Sequence, residues 1–286
     1  MTFGQLKFRL AQMFPGFSLD LIEGWANDRY AEILSELPWS RLNVSAQLAT
    51  TAPYAMGTVA VAAGNTAVSL AGGFWTVAMN GMAFRVAGRS EFYQISPSGN
   101  TTGTLDRPYE GTTAPAAAYS IFQHIYPMPA DCRLLYDEAF AGALGPMKRF
   151  DHGQLNESDP SRLQTGTPTG WAMYMDDGST PPRMQVELWP IPDSAIGIPF
   201  TYVGDASPLT ATSTILQVWM QPTALLDGIV AKIKAHLKDY AGSQLAMISA
   251  KNALANMRTS EAQGMGPAQM KLDSYYTSHR SKRWMR

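Results

Sequence analysis

The chain is poor in charge. Asp, Glu, Lys and Arg make up 16% of its 286 residues, against about a quarter in ordinary globular domains. That deficit fits a surface largely covered by partners, and equally a soluble surface rich in Ser, Thr and Ala. The charges also cancel: 22 basic and 23 acidic residues leave a formal net charge of −1, so no global field draws the chain to nucleic acid or to a membrane. A single cysteine, Cys132, excludes an internal disulfide and a cysteine-based zinc site within one chain. Its expected role is a buried structural thiol. No run approaches the roughly 18 apolar residues of a membrane span, and the stretch with Lys7, Arg9, Pro15 and Asp20 lacks the apolar core of a signal peptide. The expected setting is the cytoplasm, or a particle assembled there, with no membrane partner.

Signatures of common chemistries are missing as well. His124, His152, His236 and His279 are scattered without metalloprotease spacing, and each reads as structural. There is no Walker-type phosphate loop, no dinucleotide-binding glycine fingerprint after a strand and no nucleophile elbow. Carboxylates for glycoside hydrolysis can come from distant positions. Asp137-Glu138 and Glu157-Asp159 are the nearest candidates, and solvated loop or strand-end acids are the plainer reading. No catalytic residue, metal site or cofactor is expected, and the chain is not read as an enzyme.

What is present begins with helices. Thr2 and Gln5 have capping-box spacing, and Leu6, Leu10, Met13 and Phe14 give one apolar face before Pro15-Gly16. Ser18 caps a second helix in which Ile22, Trp25, Ala26, Arg29, Ile33 and Leu37 follow helical spacing up to Pro38-Trp39. Helical period returns after Gln221-Pro222, with Leu226, Ile229, Val230, Ile233 and Leu237 in a stripe opposed by Lys232, Lys234 and Lys238. Gly242-Ser243 is expected to start a further helix, with Leu245, Ile248 and Leu254 inward, that stops at Gly264-Met265-Gly266-Pro267.

Between these ends the period is two. Thr58–Val61, Val68–Leu70, Phe84–Val86 and Phe92–Ile95 read as strands punctuated by glycine turns, a small barrel or sandwich that Thr104–Tyr109 would close. A second β region holds Arg133–Tyr136, Trp171–Tyr174, Met184–Leu188 and Phe200–Val203. Long polar loops at 150–170 and 176–183 separate its strands, and Asp176-Asp177-Gly178 reads as hairpin turn chemistry. The expected fold class is α+β: a four-helix bundle from the N- and C-terminal segments with inserted antiparallel β modules and an extended C-terminal arm. The boundaries are 1–47 and 215–266 for the helical pairs, 48–125 for the β-barrel or sandwich insertion, 126–214 for the second β region and 267–286 for the arm.

The arm has five basic residues, one acid (Asp273) and interleaved aromatics. It fits a frayed terminus, a weak nucleic-acid arm or a segment that orders on docking. Tyr275, Tyr276 and Trp284 favour docking, because Tyr and Trp are common interface anchors.

Four short segments, taken together and in order, resemble the head-to-tail adaptor (connector) proteins of tailed bacteriophages, the group of tail tubular protein A. They are Trp25-Ala26-Asn27-Asp28-Arg29-Tyr30-Ala31-Glu32-Ile33-Leu34 leading into Leu37-Pro38-Trp39-Ser40; Leu105-Asp106-Arg107-Pro108-Tyr109-Glu110-Gly111; Tyr126-Pro127-Met128-Pro129-Ala130-Asp131-Cys132-Arg133; and Leu188-Trp189-Pro190-Ile191-Pro192-Asp193.

The resemblance implies a structural virion protein of the neck or tail, assembled in the host cytoplasm. It implies a homo-oligomeric ring, typically of twelve copies, that joins the portal protein to a downstream tail, nozzle or fibre protein and lets DNA pass without sequence reading. On the same carry-over, residues 267–286 form the portal-docking arm. Tyr275, Tyr276 and Trp284 would fill partner grooves, and Arg280, Lys282, Arg283 and Arg286 would meet carboxylates or carbonyls. The tract 48–125 exceeds what a minimal adaptor needs, which suits an added decoration or fibre-binding module. The rival reading is a glycan-binding or peptidoglycan-degrading tail protein, with Trp75 and Trp171 as sugar platforms, although a buried core role is the plainer reading of both, and Glu157 or Asp159 as catalytic acids.

Overall fold

A computed structural model describes residues 2–264 apart from 38, 143–144, 175–176, 181, 206–208 and 210–220. The chain divides into two compact units, one formed by residues 1–43 with 205–286 and the other by residues 44–204.

Helix α1 (Phe3–Met13) starts at a capping box: the Gln5 N–H donates to the Thr2 hydroxyl, and the Thr2 N–H donates to the Gln5 side chain. Phe3, Leu6 and Leu10 form its buried face. Helix α2 (Leu19–Ser35) starts at Ser18, whose hydroxyl accepts from the Leu21 N–H. It buries Ile22, Ala26, Ile33 and also Arg29.

Strand β1 (Asn43–Ala49) leads into the second unit. The next seven strands are β2 (Thr58–Val61), β3 (Ala67–Ala71), β4 (Ala83–Val86), β5 (Tyr93–Pro97), β6 (Thr102–Leu105), β7 (Ala114–Ala117) and β8 (Tyr119–Phe122). They form one antiparallel sheet in the order β7-β2-β3-β6-β5-β4-β8. Only Ala118 separates the two edge strands in sequence, so the edges are drawn together and the sheet curls into a half-barrel. Closure therefore falls to β7 and β8; the expected closing segment contributes only its first two residues, to β6. Alternation places Val59, Val61, Val68 and Leu70 inside, against Trp75, Phe84 and Tyr119. One glycine is required by close approach: at Gly57 (φ +82°) a Cβ would lie 2.2 Å from the Ala71 carbonyl oxygen.

The remainder of this unit comprises β9 (Ile125–Pro127), β10 (Cys132–Gly142), β11 (Gly145–Pro146), β12 (Lys148–Phe150), α3 (His152–Ser158), β13 (Thr165–Gly166), β14 (Gly170–Tyr174), β15 (Gln185–Trp189), β16 (Ile191–Pro192) and β17 (Gly197–Gly204). These strands give one sheet ordered β12-β14-β15-β9, another ordered β1-β17-β10-β11, and a β13-β16 pair. Phe140 sits at the centre of their core, 5.1 Å between ring centroids from both Trp171 and Phe200. Cys132, expected to be buried, is half-buried on β10. Asp177 behaves as turn chemistry predicts: its carboxylate accepts from the Ser179 hydroxyl and from the Ser179 and Arg183 N–H groups, which holds its pKa down at about 2.

Helix α4 (Pro222–His236) carries Pro in its first turn, and α5 (Tyr240–Gly264) completes the helical unit. The break between them lies earlier than Gly242-Ser243. Lys238 adopts φ +63°, Asp239 accepts from the Gly242 N–H, and α5 begins at Tyr240.

The expected four-helix bundle with inserted β modules is not the architecture. The chain is β-rich, with the curled seven-stranded half-barrel as its largest sheet among the described residues, and α3, one of five α-helices among them, lies inside the β unit. Helix α1 packs mainly on α2, α2 on α4 and α4 on α5, which makes a row instead of four helices around one core. The inward face of α5 explains this. Its first half is made of small side chains, with larger Leu254 and Met257 buried only further on: Ser243 donates to the Ala231 carbonyl, Ser249 donates to Asp227, and Ala250 and Ala253 are buried. Leu254 is inward as expected, but Leu245 and Ile248 are 71% and 56% exposed. The arm, residues 267–286, and with it Tyr275, Tyr276, Arg280, Lys282, Arg283, Trp284 and Arg286, lies outside the described residues.

Candidate functional site

The β unit holds one cluster of buried charge. Glu187 on β15 is 1% exposed. Arg162 grips it with two bonds, Nε to Oε1 at 2.5 Å and Nη2 to Oε2 at 3.1 Å. The remaining guanidinium donors of Arg162 reach the Asp159 and Leu155 carbonyls and the Asn156 side chain. These contacts hold Arg162 at φ +51°, an uncommon backbone conformation for a residue other than glycine. Asp159, also buried, accepts from the Leu163 and Gln164 N–H groups and from the Trp189 indole. From the half-barrel, Arg85 on β4 donates to the Ser161 and Arg162 carbonyls, and its guanidinium lies 4.8 Å from the Phe122 ring centroid. The 159–164 loop is thus clamped from two sides, by β15 and by the half-barrel.

Two histidines flank the Glu187 carboxylate. His124 Nε2 is 3.9 Å from Oε1, and His152 Nε2 is 3.4 Å from Oε2. His124 packs edge-on against Phe92. Burial pushes its pKa down to about 4; Glu187 opposes that shift, and Arg162 and Arg85 add to it. The unfolded chain therefore takes up a proton near pH 6.5 that the folded protein refuses until about pH 4. Stability from this group is complete above pH 6.5 and is lost as pH falls from there to 4, by about 3 kcal/mol in all. Urea midpoints for the native chain and His124→Gln, measured from pH 4 to 8, should diverge over that window. Parallel curves would remove His124 as the cause.

This cluster holds parts of the β unit together. Its guanidinium and carboxylates are already paired, and the cleft beside it, lined by Gln94, His124, His152, Asn156 and Tyr174, measures about 200 Å³, below the roughly 300 Å³ at which ligand pockets begin. A wider open groove of about 600 Å³ runs past Asp137, Glu138, Lys148 and Arg149. There the ion pair Asp137–Arg149, at 2.6 Å, already joins acid to base on an exposed surface. Among the described residues, no three His, Cys, Asp or Glu side chains are grouped to hold a metal ion, and no helix is long and apolar enough to cross a membrane.

Of the acids singled out from sequence, Asp137, Glu138 and Glu157 are exposed, while Asp159 is a buried loop clamp. Trp75 and Trp171 are 1% and 0% exposed, so neither offers a ring to a sugar. His236 packs edge-on against Phe17 and tilted against Trp25, which ties the α1–α2 turn to the end of α4. His279 lies outside the described residues. The buried cluster itself escaped sequence reading, because Arg85, His124, Asp159, Arg162 and Glu187 follow no spacing rule. The one available signal was Asp151 with Gln154, a capping box that starts α3 inside an apparent loop.

The other feature of functional scale is apolar. Among the described residues, eight of the fifteen exposed large hydrophobic side chains belong to the helical unit, the smaller of the two: Phe8, Met13, Leu19, Leu21, Leu237, Tyr240, Leu245 and Ile248. Phe8 lies on the outward face of α1 and Met13 at its C-terminal end on the side of Leu10, Leu245 and Ile248 lie on the outward face of α5, and the other four beside the turns that join these helices to α2 and α4. No family model matches the sequence, and no curated protein matches it.

Proposed function

We propose that the chain is a structural head-to-tail adaptor of a tailed bacteriophage, a ring-forming protein of the virion neck that joins the portal to the tail or nozzle. The observation that carries this reading is the helical unit: it is drawn from both ends of the chain and exposes large apolar side chains on both its end helices. Apolar surface of that extent marks an interaction site in a soluble protein. The four ordered sequence segments supply the identity of the assembly, and the internally paired ionic cluster fits a protein that binds without turnover.

In this reading the arm is the anchor. Helix α5, with 25 residues, carries the chain about 37 Å from the α4–α5 turn before the arm begins. Tyr275, Tyr276 and Trp284 enter portal grooves, and Arg280, Lys282, Arg283 and Arg286 meet acids or carbonyls there. Individual contacts need not be strong, since in a ring each docked copy raises the effective concentration of the next site. A nearly neutral chain lets DNA pass without being gripped. The β unit is left for a downstream tail, nozzle or fibre protein. The glycan reading is weakened by the burial of both tryptophans proposed as its platforms.

Light-scattering mass tests the reading, using the full chain and a version ending at Gly266, each alone and mixed with a portal ring. The full chain is expected to add a stoichiometric ring to the portal, and the shortened chain to add nothing. Failure of both to bind removes the adaptor reading; binding of both keeps it and moves the anchor out of the arm.

A further inference from the structure

We infer that the arm, residues 267–286, folds back along α5 of its own chain and docks where the α1–α2 and α4–α5 turns meet, which keeps the arm covered until a partner displaces it. The docking surface is the first reason. Phe17, Trp25 and His236 touch ring to ring there, with centroids 5.5 to 5.7 Å apart. Phe17 and Trp25 are only half-buried and His236 is exposed, so the rings still offer surface. Leu21, one turn before Trp25 on the same face of α2, and Leu237 and Tyr240 beside the α4–α5 turn extend the patch, and all three are exposed. Aromatic side chains are common interface anchors, and the arm supplies Tyr275, Tyr276 and Trp284 to meet them.

Reach is the second reason. The end of α5 lies about 37 Å from the α4–α5 turn, and the chain from Gly264 to Trp284 spans up to about 70 Å when extended, so Trp284 returns to the turns with slack. Tyr275 and Tyr276 reach less far and come to lie along α5, where Ile248 and Leu245 are exposed about 24 and 29 Å back from its end. Charge is the third reason. Asp20 and Asp28 on α2 are exposed and carry no ion pair among the described residues, and Asp28 follows Trp25 on the same helix face. Lys7, Lys232 and Lys234 are already paired, with Glu23, Glu32 and Asp239, which leaves Lys238 in the turn as the opposing charge. Trp284 stands among Arg280, Lys282, Arg283 and Arg286, so ring meets ring where base meets acid. A tethered arm acts at an effective concentration on the order of millimolar, which a separate protein seldom matches. That the covered arm is an anchor for a portal rests on the adaptor reading; the docking itself does not.

The test uses the full chain without any portal and follows trypsin cutting after Arg280 by intact mass. The native chain is expected to be cut about tenfold more slowly than Trp284→Ala, or than Leu21→Asp with Tyr240→Asp, the ratio set by about nine chains in ten holding the arm docked. Trp284→Ala leaves the four helices of the unit untouched, so it decides the matter even if the double variant loses helical circular dichroism. Equal cutting of the native chain and Trp284→Ala would overturn the inference. A folded double variant that stays protected would place the arm elsewhere and overturn it too. So would protection that fades on dilution, since the arm would then lie on a second copy. A protected arm in a chain that adds nothing to a portal ring leaves the inference standing and removes the adaptor reading. Portal binding by a chain whose arm is cut equally fast with and without Trp284 does the reverse.

Discussion

Arg162→Met is expected to destabilise the β unit by about 3–5 kcal/mol. The substitution removes the two-bond partner of Glu187, whose carboxylate is 1% exposed, and leaves no other arginine paired with it. His124 and His152 remain beside the carboxylate, and burial, the largest cause, still holds the His124 pKa below its usual value once Arg162 is gone. The same change frees the Asp159 and Leu155 carbonyls and removes the cause of the left-handed backbone at position 162. Adding Glu187→Leu to Arg162→Met should restore most of the loss, since an apolar pair avoids the cost of desolvating charge. Urea unfolding followed by tryptophan emission reads this directly, because Trp171 and Trp189 belong to the same unit. A cost below about 1 kcal/mol for the single change would mean that Glu187 finds water or another donor, and that the cluster is not the clamp between the half-barrel and β15.

Elements with a local cause were legible in the sequence. Capping at Thr2 and Ser18 located α1 and α2, Pro222 marked the start of α4, and alternation around Val59, Val68 and Trp171 located β2, β3 and β14. What was misread depends on partners distant in sequence. An amphipathic stripe predicts Leu245 and Ile248 inward, but the Ser243–Ala231 and Ser249–Asp227 contacts turn the small face of α5 to α4. The four helices consequently form a row, which hydrophobic period alone does not distinguish from a bundle. The buried cluster is the same case at the level of chemistry. Arg85, Arg162 and Glu187 are 77 and 25 residues apart in successive steps, and each alone reads as an ordinary surface charge. Burial of Trp75 and Trp171 decides between their two readings in favour of the core, which local sequence leaves open, since a ring that serves as a sugar platform and one that fills a core have the same neighbours in the chain.

Trp75→Ala should cost about 3–5 kcal/mol in the half-barrel. The indole is 1% exposed and fills the centre of the curl, against the ring of Tyr119 at 6.2 Å. It also begins a short relay, in which its Nε1–H donates to the Tyr119 hydroxyl and that hydroxyl donates to the Met56 carbonyl. Close approach at the same place leaves little room for collapse: a Cβ on Gly103 would lie 3.1 Å from the indole, so this strand is already against it. The cavity left by alanine would therefore persist. Trp75→Phe should cost less, about 1–2 kcal/mol, because the phenyl ring keeps most of the apolar burial and Tyr119 still donates to Met56. Urea midpoints of the two variants should fall in that order, with glycan binding absent throughout. Trp75→Ala with a native midpoint, together with loss of a measurable glycan affinity, would reverse the assignment: Trp75 would be a binding platform, and the half-barrel would need another centre to its core.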